Sequence, residues 1–193
     1  MSKYGHNIPV GTTVSFCRVA EEWGGLSNMS KAFPLHFNKR YVRTVEAIYQ
    51  ALKFPDYPDI QERIIIQASP MVAKNVSRSN EPSVREDWHD IKVDVMQWCL
   101  REKLVQNSDT FGPYLLGTKG KIIVERSYRD FFWGAGQVSE KFWKGENRLG
   151  YLLTDLRDAY DKDPETAKKS YDPEISNFTF LGEKLRWTGS DDE

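Results

Sequence analysis

The stretch Thr44-Val45-Glu46-Ala47-Ile48-Tyr49-Gln50-Ala51-Leu52-Lys53-Phe54 is the segment from which we interpret the rest of the chain. Thr44 has the side chain of a helix N-cap, and Pro55 ends the predicted helix just after Phe54. Apolar residues recur at helical spacing and predict a buried stripe formed by Val45, Ile48, Tyr49 and Leu52. The segment is therefore predicted to be a helix that packs this stripe on the core.

A polar strip runs beside the apolar stripe of this helix. Glu46, Gln50 and Lys53 stack on one side, because residues four and seven positions apart share a helix face. An acid, an amide and an amine at this position predict a cleft that meets the core. The alternative is that Glu46 and Lys53 are a solvated surface pair, which is the commoner arrangement for such a pair taken alone.

Composition limits the class of protein. With 193 residues and 39% hydrophobic content, one domain with one core is expected. A net charge of -1 argues against a protein that coats DNA duplexes, although it permits a local basic cleft. Cys17 and Cys99 indicate a reducing compartment, and each is expected to be a small buried apolar residue. With no signal peptide, membrane span or lipidation motif, a cytoplasmic protein without membrane contact is expected.

The patterns along the chain predict an α+β fold, a single mainly helical domain with short antiparallel strands. The predicted elements are a strand at 12–18, a hairpin at 33–43 that turns at Asn38-Lys39, helices at 44–54, 59–67, from Ser69-Pro70, 83–105 and 149–160, a short helical segment at 111–116, and a strand at 121–125. Residues 1–11 are a lead-in, 12–160 the domain, and 161–193 a linker and C-terminal extension that docks on the domain. Residues 189–193 are predicted to be a disordered acidic end.

Two loops contain aromatic residues beside glycines. In residues 21–29, paired glycines let backbone approach a ligand, although a turn-rich connection is as common. In residues 130–136, an aromatic side chain can stack on a planar base, or it can plug the core beneath the loop.

Basic and polar groups elsewhere suggest an anion. Residues 144–147 at a helix start can offer backbone N–H groups to an anion, or Asn147 can simply cap the helix. Arg78, Arg85 and Lys92 can meet phosphates, or they can be solvated surface cations.

Standard catalytic motifs are missing from the sequence. There is no zinc-ligand spacing, Walker loop, dinucleotide fingerprint or nucleophile elbow, so no metal and no cofactor are predicted. The histidines are His6, His36 and His89, and so few disfavour a Ser-His or Cys-His mechanism. Carboxylates, lysines, arginines and tryptophans remain as the groups that can carry chemistry.

Six stretches of the chain, taken in order, form one pattern. They are Trp23-Gly24-Gly25-Leu26-Ser27-Asn28, Glu46…Tyr49-Gln50…Lys53-Phe54, Ser69-Pro70-Met71-Val72-Ala73-Lys74, Asp87-Trp88 with Lys92 and Met96, Asp130…Trp133-Gly134-Ala135-Gly136, and Gly145-Glu146-Asn147-Arg148-Leu149-Gly150-Tyr151-Leu152-Leu153. In this pattern the chain resembles the NADAR, or YbiA-like, family of N-glycosidases. Each is weakly specific alone, whereas the ordered set, across residues 14–160, is strongly specific. The resemblance implies the YbiA-like (NADAR) fold.

Two branches of the family have different substrates. One cleaves pyrimidine intermediates of riboflavin biosynthesis and typically has Glu-His-Tyr-Phe-Gln where this chain has Glu46-Ala47-Ile48-Tyr49-Gln50. The other removes ADP-ribose from guanine in DNA and is the antitoxin to a DarT-like ADP-ribosyltransferase toxin. The chain is similar to the second branch in its C-terminal extension and in Phe33-Pro34-Leu35, Ala47-Ile48-Tyr49-Gln50-Ala51, Phe54-Pro55-Asp56-Tyr57-Pro58 and Gln97-Trp98-Cys99-Leu100-Arg101. The missing His disfavours the riboflavin-type activity.

The resemblance and the helix position together implicate Glu46 as the carboxylate that meets positive charge on the sugar or activates water. Lys53 can instead form a Schiff base with ring-opened ribose, and Asp130 can bind ribose hydroxyls or orient the loop of Trp133. Lys74 and Lys92 are phosphate clamps or competitors for the lysine role. The implied substrate-binding residues are Gly25, Asn28, Gln50, Lys74, Arg78, Trp88, Lys92, Trp133, Gly134, Gly136 and Asn147.

The implied function is an ADP-ribosylhydrolase that reverses toxin modification of DNA. Its expected partners are ADP-ribosylated single-stranded DNA or ADP-ribosyl-guanosine, the product ADP-ribose, and a functionally paired DarT-like toxin, and the chain is expected to be a monomer. The alternatives are a riboflavin-type N-glycosidase and a non-catalytic ADP-ribose reader. A protein-interaction module has the least support.

Overall fold

The computed structural model describes residues 7–187. The expectations for the first six residues of the lead-in, His6 included, and for the acidic end at 189–193 lie outside the described residues.

The described residues form an α+β structure. The helices are α1 Val45–Ala51, α2 Pro58–Ile65, α3 Pro70–Ser79, α4 Trp88–Gln106, α5 Ser108–Leu116, α6 Arg148–Lys162 and α7 Pro164–Ala167. The strands are β1 Ile8–Pro9, β2 Thr13–Phe16, β3 Leu35–Phe37, β4 Arg40–Val42, β5 Ile122–Glu125, β6 Gly136–Gln137, β7 Phe142–Lys144, β8 Thr179–Phe180 and β9 Glu183–Lys184. Within residues 7–187, no helix has both the length and the apolar composition to cross a bilayer.

Helix α1 lies inside the domain, with all seven of its residues buried. The predicted N-cap is confirmed, since the Ala47 N–H donates to Thr44 Oγ1 at 3.2 Å. The helix ends at Ala51, before the predicted Phe54. The Phe54 N–H bonds the Ala51 carbonyl at 3.0 Å in a tighter turn, and a residue before proline disfavours helix. Lys53 therefore lies in the turn that follows α1.

The strands form small sheets, as predicted. The hairpin of β3 and β4 turns at Asn38 (φ 47°) and Lys39 (φ 61°), the left-handed pair that suits a two-residue hairpin loop. Antiparallel pairing also joins β1 to β7, β7 to β6, and β8 to β9. The β2–β5 pair is parallel, which the short-strand prediction did not include. The helices between these two strands provide the long connection that parallel pairing needs.

The start of α4 differs from the prediction. The helix was expected from Ser83, whereas it begins at Trp88 after a 3-10 turn at Glu81–Ser83. Val84 is extended, and the Arg85 N–H donates to the Lys53 carbonyl at 2.9 Å. This bond holds Arg85 against the turn after α1, so a tertiary contact moves the start of the helix away from Ser83.

The chain after residue 161 packs back on the helices. The Trp98 indole N–H donates to the Tyr171 carbonyl at 3.1 Å, and the Gln61 amide donates to the Thr179 carbonyl at 3.1 Å. Phe180 and Leu185 are at most 1% exposed. Helix α6 continues past residue 160 to Lys162, and α7 follows at once.

Asn147 joins β5 to the start of α6. The residue is fully buried with φ 50°, its Oδ1 accepts from the Glu125 N–H at 3.1 Å, and its Nδ2 donates to the Ile123 carbonyl at 2.8 Å. The side-chain amide thus forms hydrogen bonds with two backbone groups of β5, the Glu125 N–H and the Ile123 carbonyl, that would otherwise lack these partners.

Replacing Asn147 by Ala is expected to lower the free energy of unfolding by about 3 kcal/mol. The change leaves the Glu125 N–H and the Ile123 carbonyl without their hydrogen-bond partner. It also places alanine at a positive φ, a conformation that asparagine adopts more readily. Urea unfolding measures the loss. Asn75→Ala, on the exposed face of α3, is the matched control and should change the value by less than about 0.5 kcal/mol. Equal effects of the two variants would contradict the role of Asn147.

Candidate active site

A cleft of ≈ 1070 Å³ opens between α1, α3, the start of α4 and the loop after β5. Ten of the predicted site residues line it: Asn28, Glu46, Gln50, Lys53, Lys74, Arg78, Trp88, Lys92, Asp130 and Trp133. The first and last of these residues are more than 100 positions apart in the sequence. The tertiary fold therefore brings residues of separate motifs into one cleft.

Glu46 is a buried acid on the wall of this cleft, and it is 5% exposed. Its Oε1 accepts from Gln50 Nε2 at 2.8 Å and lies 3.5 Å from the ammonium of Lys74. The Glu46 N–H donates to the Asn28 carbonyl at 3.0 Å, which ties the start of α1 to the 21–29 loop. The solvated-surface alternative for Glu46 is therefore wrong, and its predicted partner Lys53 is replaced by Lys74.

Two amide oxygens beside Glu46 have no hydrogen-bond partner within the described residues. They are Oδ1 of Asn28 and Oε1 of Gln50, both on side chains at most 5% exposed. The Gln50 amide is oriented by the Glu46 carboxylate, and the Asn28 amide donates to Met96 Sδ at 3.1 Å. Buried acceptors without partners are costly, so they favour a ligand that brings O–H or N–H donors.

Three aromatic rings form one side of the cleft. The ring centroids of Tyr49 lie 5.0 Å from Trp88 and 5.9 Å from Trp133. Trp88 is only 7% exposed and acts mainly as a wall, whereas Trp133 is partly exposed and has ring surface for stacking. Of the two tryptophans predicted to bind the substrate, Trp133 is thus the one with ring surface for stacking on a base.

Lys53 projects over this wall. Its Nζ lies 5.4 Å from the Trp88 centroid and 5.9 Å from the Tyr49 centroid. Desolvation by burial lowers the pKa of Lys53 to about 8, and the positive charges of Lys74 and Arg78 act in the same direction against Glu46. A substantial fraction of neutral amine is therefore present near neutral pH, as a nucleophilic lysine requires.

Cations line the opposite part of the cleft. Lys74 and Arg78 lie on α3, and Lys92 on α4 places its ammonium 4.2 Å from the Phe132 centroid. Arg85 lines the cleft too, but its guanidinium bonds Asp87 and the carbonyls of Ser176 and Asn177. Arg85 therefore anchors the C-terminal extension, and the other three remain the candidates for contact with an anion.

Asp130 organises the loop that carries Trp133. Its Oδ1 accepts from the N–H groups of Phe132 and Trp133 at 3.1 and 3.0 Å. Of the two roles predicted for Asp130, this geometry matches the orientation of the Trp133 loop. The exposed carboxyl still lines the cleft.

The predicted anion site at the start of α6 is wrong. The N–H groups of residues 146–149 donate to the carbonyls of Phe131, Gly134, Phe132 and Trp133 at 2.7–3.1 Å. The positive end of the helix is therefore used by the folded loop, and its donors are not available to a ligand.

Four predicted binding residues do not line the cleft: Gly25, Gly134, Gly136 and Asn147. Asn147 is the buried bridge described above. A Cβ at Gly134 would lie 2.6 Å from the Glu125 carbonyl, and one at Gly136 would lie 2.8 Å from the Phe131 ring. Gly25 donates its N–H to Tyr114 Oη and lines a separate apolar groove. Glycine is needed at these positions because neighbouring atoms pack against the backbone. The pattern of aromatic residues beside glycines there reflects packing of the fold, and these glycines do not face the cleft.

Two cleft residues were missed or misjudged from the sequence. Glu125 was predicted from the sequence only as the last residue of a strand. A charged residue directly after the apolar run Ile122-Ile123-Val124 could have indicated that the strand ends at a site. Cys17 was expected to be buried, and it is exposed at the cleft because strand β2 ends at Phe16. Cys99 is buried, as predicted.

Metal binding has no candidate within residues 7–187, where no group of three or more His, Cys, Asp or Glu side chains is arranged to hold an ion. The polar groups of the cleft are thus carboxyls, amides, ammonium groups and guanidinium groups.

Several known proteins are similar to this chain. The chain is 35% identical to N-glycosidase YbiA of Escherichia coli (strain K12) over 147 residues, which are 76% of this chain and 88% of that protein. It is 34% identical over 170 residues to the riboflavin biosynthesis protein PYRR, chloroplastic, of Zea mays, of which it spans 26%. The NMR structure of E. coli YbiA superposes with a TM-score of 0.67 and 31% identity, covering 83% of this chain and 90% of that one.

The predicted α+β, YbiA-like fold is confirmed by this structural neighbour. The sequence model of the NADAR domain matches residues 15–160, which contain every residue of the cleft named above. The chain belongs to the NADAR-domain family, and its relatives of matching length are N-glycosidases.

Proposed function

We propose that this N-glycosidase-family protein cleaves the bond between ADP-ribose and guanine in modified DNA and thereby reverses ADP-ribosylation by a toxin. The observation that carries the proposal is the combination, in one cleft, of the buried Glu46 carboxylate, the partly exposed Trp133 and three cations on α3 and α4. Loss of the base builds positive charge on the anomeric carbon, and a fixed carboxylate stabilises that charge.

The size and charge of the cleft suit a ligand with two phosphates. A volume of ≈ 1070 Å³ accommodates a ligand as large as a dinucleotide. Lys74, Arg78 and Lys92 offer positive charge to a diphosphate, and the Trp133 ring offers a stacking surface to a base. Pairing these groups with ADP-ribose uses the whole cleft, whereas a smaller riboside uses only the part around Glu46.

The unpartnered oxygens of Asn28 and Gln50 support contact with a sugar. Ribose hydroxyls donate hydrogen bonds, and both oxygens lie on residues next to Glu46 in the cleft wall. A ribose held there has its anomeric carbon close to the carboxylate. The amides then select for hydroxyl donors, and the carboxylate acts on the carbon that carries the base.

The DNA substrate follows from the family branch that the sequence resembles. Ala47 replaces the His of the riboflavin-type branch, and it is buried in α1 at 3% exposure. A guanine within a duplex is out of reach, so a single-stranded or opened strand is the expected form of the substrate. A net charge of -1 fits recognition of the lesion with few contacts to duplex phosphates. The proposed biological partner is a DarT-like toxin, acting on the same DNA, and the protein is proposed to work as a cytoplasmic monomer.

Incubation with a guanine-ADP-ribosylated single-stranded oligonucleotide is expected to release ADP-ribose and unmodified oligonucleotide. A ribosylamino-pyrimidine of riboflavin biosynthesis is incubated in parallel, and mass spectrometry identifies the products. Cleavage of the pyrimidine alone would favour the activity that the name of the Zea mays relative indicates. Binding of the oligonucleotide without product would favour a non-catalytic ADP-ribose reader.

Replacing Glu46 by Gln is expected to lower the rate of ADP-ribose release by at least about 10²-fold while the fold is kept. The amide has nearly the same shape, but it lacks the charge that faces the sugar cation. Single-turnover kinetics measure the rate, and circular dichroism checks folding. The matched control is Glu140→Gln, an exposed carboxyl in the β6–β7 turn, which should leave the rate unchanged. An undiminished rate in Glu46→Gln would remove Glu46 from the mechanism.

A covalent route through Lys53 is the alternative chemistry for the same substrate. The neutral amine attacks the C1′ of ring-opened ribose, an imine to Lys53 forms as the base leaves, and water then releases ADP-ribose. The depressed pKa of about 8 supplies neutral amine for this step. Lys74 interacts with Glu46, and Lys92 lies over Phe132, so both are positioned more as cations than as nucleophiles.

Borohydride added during turnover is expected to trap ADP-ribose on Lys53 if this route operates. The trapped fraction should rise between pH 7 and 9, because a lysine pKa near 8 increases the neutral amine in that range. Peptide mass mapping locates the adduct. Lys53→Arg should abolish trapping, and Lys74→Arg and Lys92→Arg should retain it. Turnover without any adduct would favour direct attack by water.

A further inference from the structure

A second carboxyl, that of Glu125, lies on the wall of the same cleft as Glu46. Glu125 ends β5, in which side chains alternate between the two faces of the strand. Ile123, on the same face as Glu125, belongs to the main hydrophobic core, whereas Val124 faces the separate cluster that contains Trp143. The Glu125 side chain therefore lies on the core-facing side of β5. At the end of the strand this side borders the cleft, so Glu125 lines the cleft.

The backbone of Glu125 is held on both sides. Its N–H donates to Asn147 Oδ1 at 3.1 Å, and its carbonyl accepts from the Ala135 N–H at 2.8 Å. The parallel pairing of β5 with β2 sets Glu125 opposite Phe16. The carboxyl thus extends into the cleft from a rigid strand end, which is the support that a group with a precise chemical role requires.

Glu46 is buried and Glu125 is half-buried, and the two carboxyls have different surroundings. The charge of Glu46 is compensated by the Lys74 ammonium at 3.5 Å and the Gln50 amide at 2.8 Å. Among residues 7–187, no hydrogen bond or ion pair reaches the Glu125 carboxyl. Desolvation by burial, followed by the negative charges of Glu46 and Asp130, raises the pKa of Glu125 to about 7, against the opposing charge of Lys74.

Other charged groups share the cleft from every element around it. They are Lys53 after α1, Lys74 and Arg78 on α3, Glu81, Arg85 and Glu86 before α4, Lys92 on α4, and Arg126 and Asp130 after β5. Arg126, the neighbour of Glu125 in sequence, directs its guanidinium to Glu21. The nearest basic residue in sequence therefore leaves the Glu125 carboxyl without a counter-ion.

We propose that Glu125 is the proton donor to the base that leaves during N-glycosidic cleavage, while Glu46 faces the positive charge on the sugar. This inference rests on the proposed function. Cleavage of a glycosidic bond commonly uses two carboxyl groups, one that gives a proton to the leaving group and one that faces the sugar cation.

The proposed step balances in atoms and electrons. The bond between C1′ and the base nitrogen breaks, its electron pair stays on that nitrogen, and the nitrogen takes the Glu125 proton. Water adds to C1′, and the proton that it loses restores the Glu125 carboxyl. The products are ADP-ribose and the oligonucleotide with its unmodified, neutral guanine, and neither changes oxidation state.

The test is the pH profile of kcat/KM for release of ADP-ribose from the modified oligonucleotide, measured between pH 5 and 9. The wild type should lose activity above about pH 7, where the Glu125 proton is lost. Glu125→Gln should lower kcat/KM by about 10²–10³ at pH 6 and should lack this alkaline fall. Glu125→Asp, which keeps a carboxyl, should recover part of the rate together with the fall, and Glu140→Gln should match the wild type.

Thermal unfolding gives a readout that does not depend on substrate. A carboxyl with a raised pKa in the folded state binds its proton more tightly there than in the unfolded chain, so stability falls as pH rises from about 4.5 towards 7. Glutamine does not titrate. The Tm of the wild type should therefore drop relative to that of Glu125→Gln between pH 5 and 8, and Glu140→Gln should follow the wild type.

The outcomes separate this inference from the proposed function. If the wild type releases ADP-ribose and Glu125→Gln keeps the rate within threefold with the same pH profile, Glu125 is not the proton donor and the function stands. A Tm difference that stays constant with pH would also overturn the inference, even if Glu125→Gln were inactive. A wild type that releases no ADP-ribose from the lesion would instead overturn the proposed function.

Discussion

The burial of the Glu46 carboxylate is the constraint on which the site depends. A charge inside a helix that is buried on every side is costly unless it is paired, and such a cost is several kcal/mol per ion. The chain meets it with two partners of the carboxylate, Gln50 on the same helix and Lys74 on α3. The Asn28 carbonyl accepts from the Glu46 backbone N–H and ties the start of the helix to the 21–29 loop. The packing of α3 on α1 is therefore favoured by electrostatics as well as by apolar contact. Residues of α1, α3 and the 21–29 loop also line the cleft.

The loop after β5 is held by N–H groups at a helix start, which in other proteins often bind an anionic ligand. Four N–H groups at the start of α6 bond carbonyls of residues 131–134, and Asp130 bonds the N–H groups of Phe132 and Trp133. These bonds hold the Trp133 ring next to Tyr49. The positive charge in the cleft therefore comes from long side chains on α3 and α4, and the helix terminus does not contribute to it.

The family match covers the cleft but leaves out the C-terminal extension. The NADAR match ends at residue 160, and the cleft that it contains explains a common N-glycosidase chemistry. The segment beyond it reaches the cleft indirectly, because Arg85 lines the cleft and also holds the carbonyls of Ser176 and Asn177. This extension is thus in contact with a residue of the cleft rim, although it lies outside the family match.

Local sequence determined the parts of this protein that depend on short-range physics. The Thr44 cap, the Asn38-Lys39 turn and the Ser69-Pro70 helix start are fixed by backbone conformation and neighbouring hydrogen bonds, and the spacing of Glu46 and Gln50 follows from helix geometry. The tertiary structure alone decided which groups meet. It moved the start of α4 to Trp88, turned Asn147 and Gly134 into packing residues, and brought Glu125 to Glu46 across about 80 residues of sequence. The physical reason is that the protonation and pairing of a buried acid depend on the atoms that surround it in space, and neighbours in sequence do not specify those atoms.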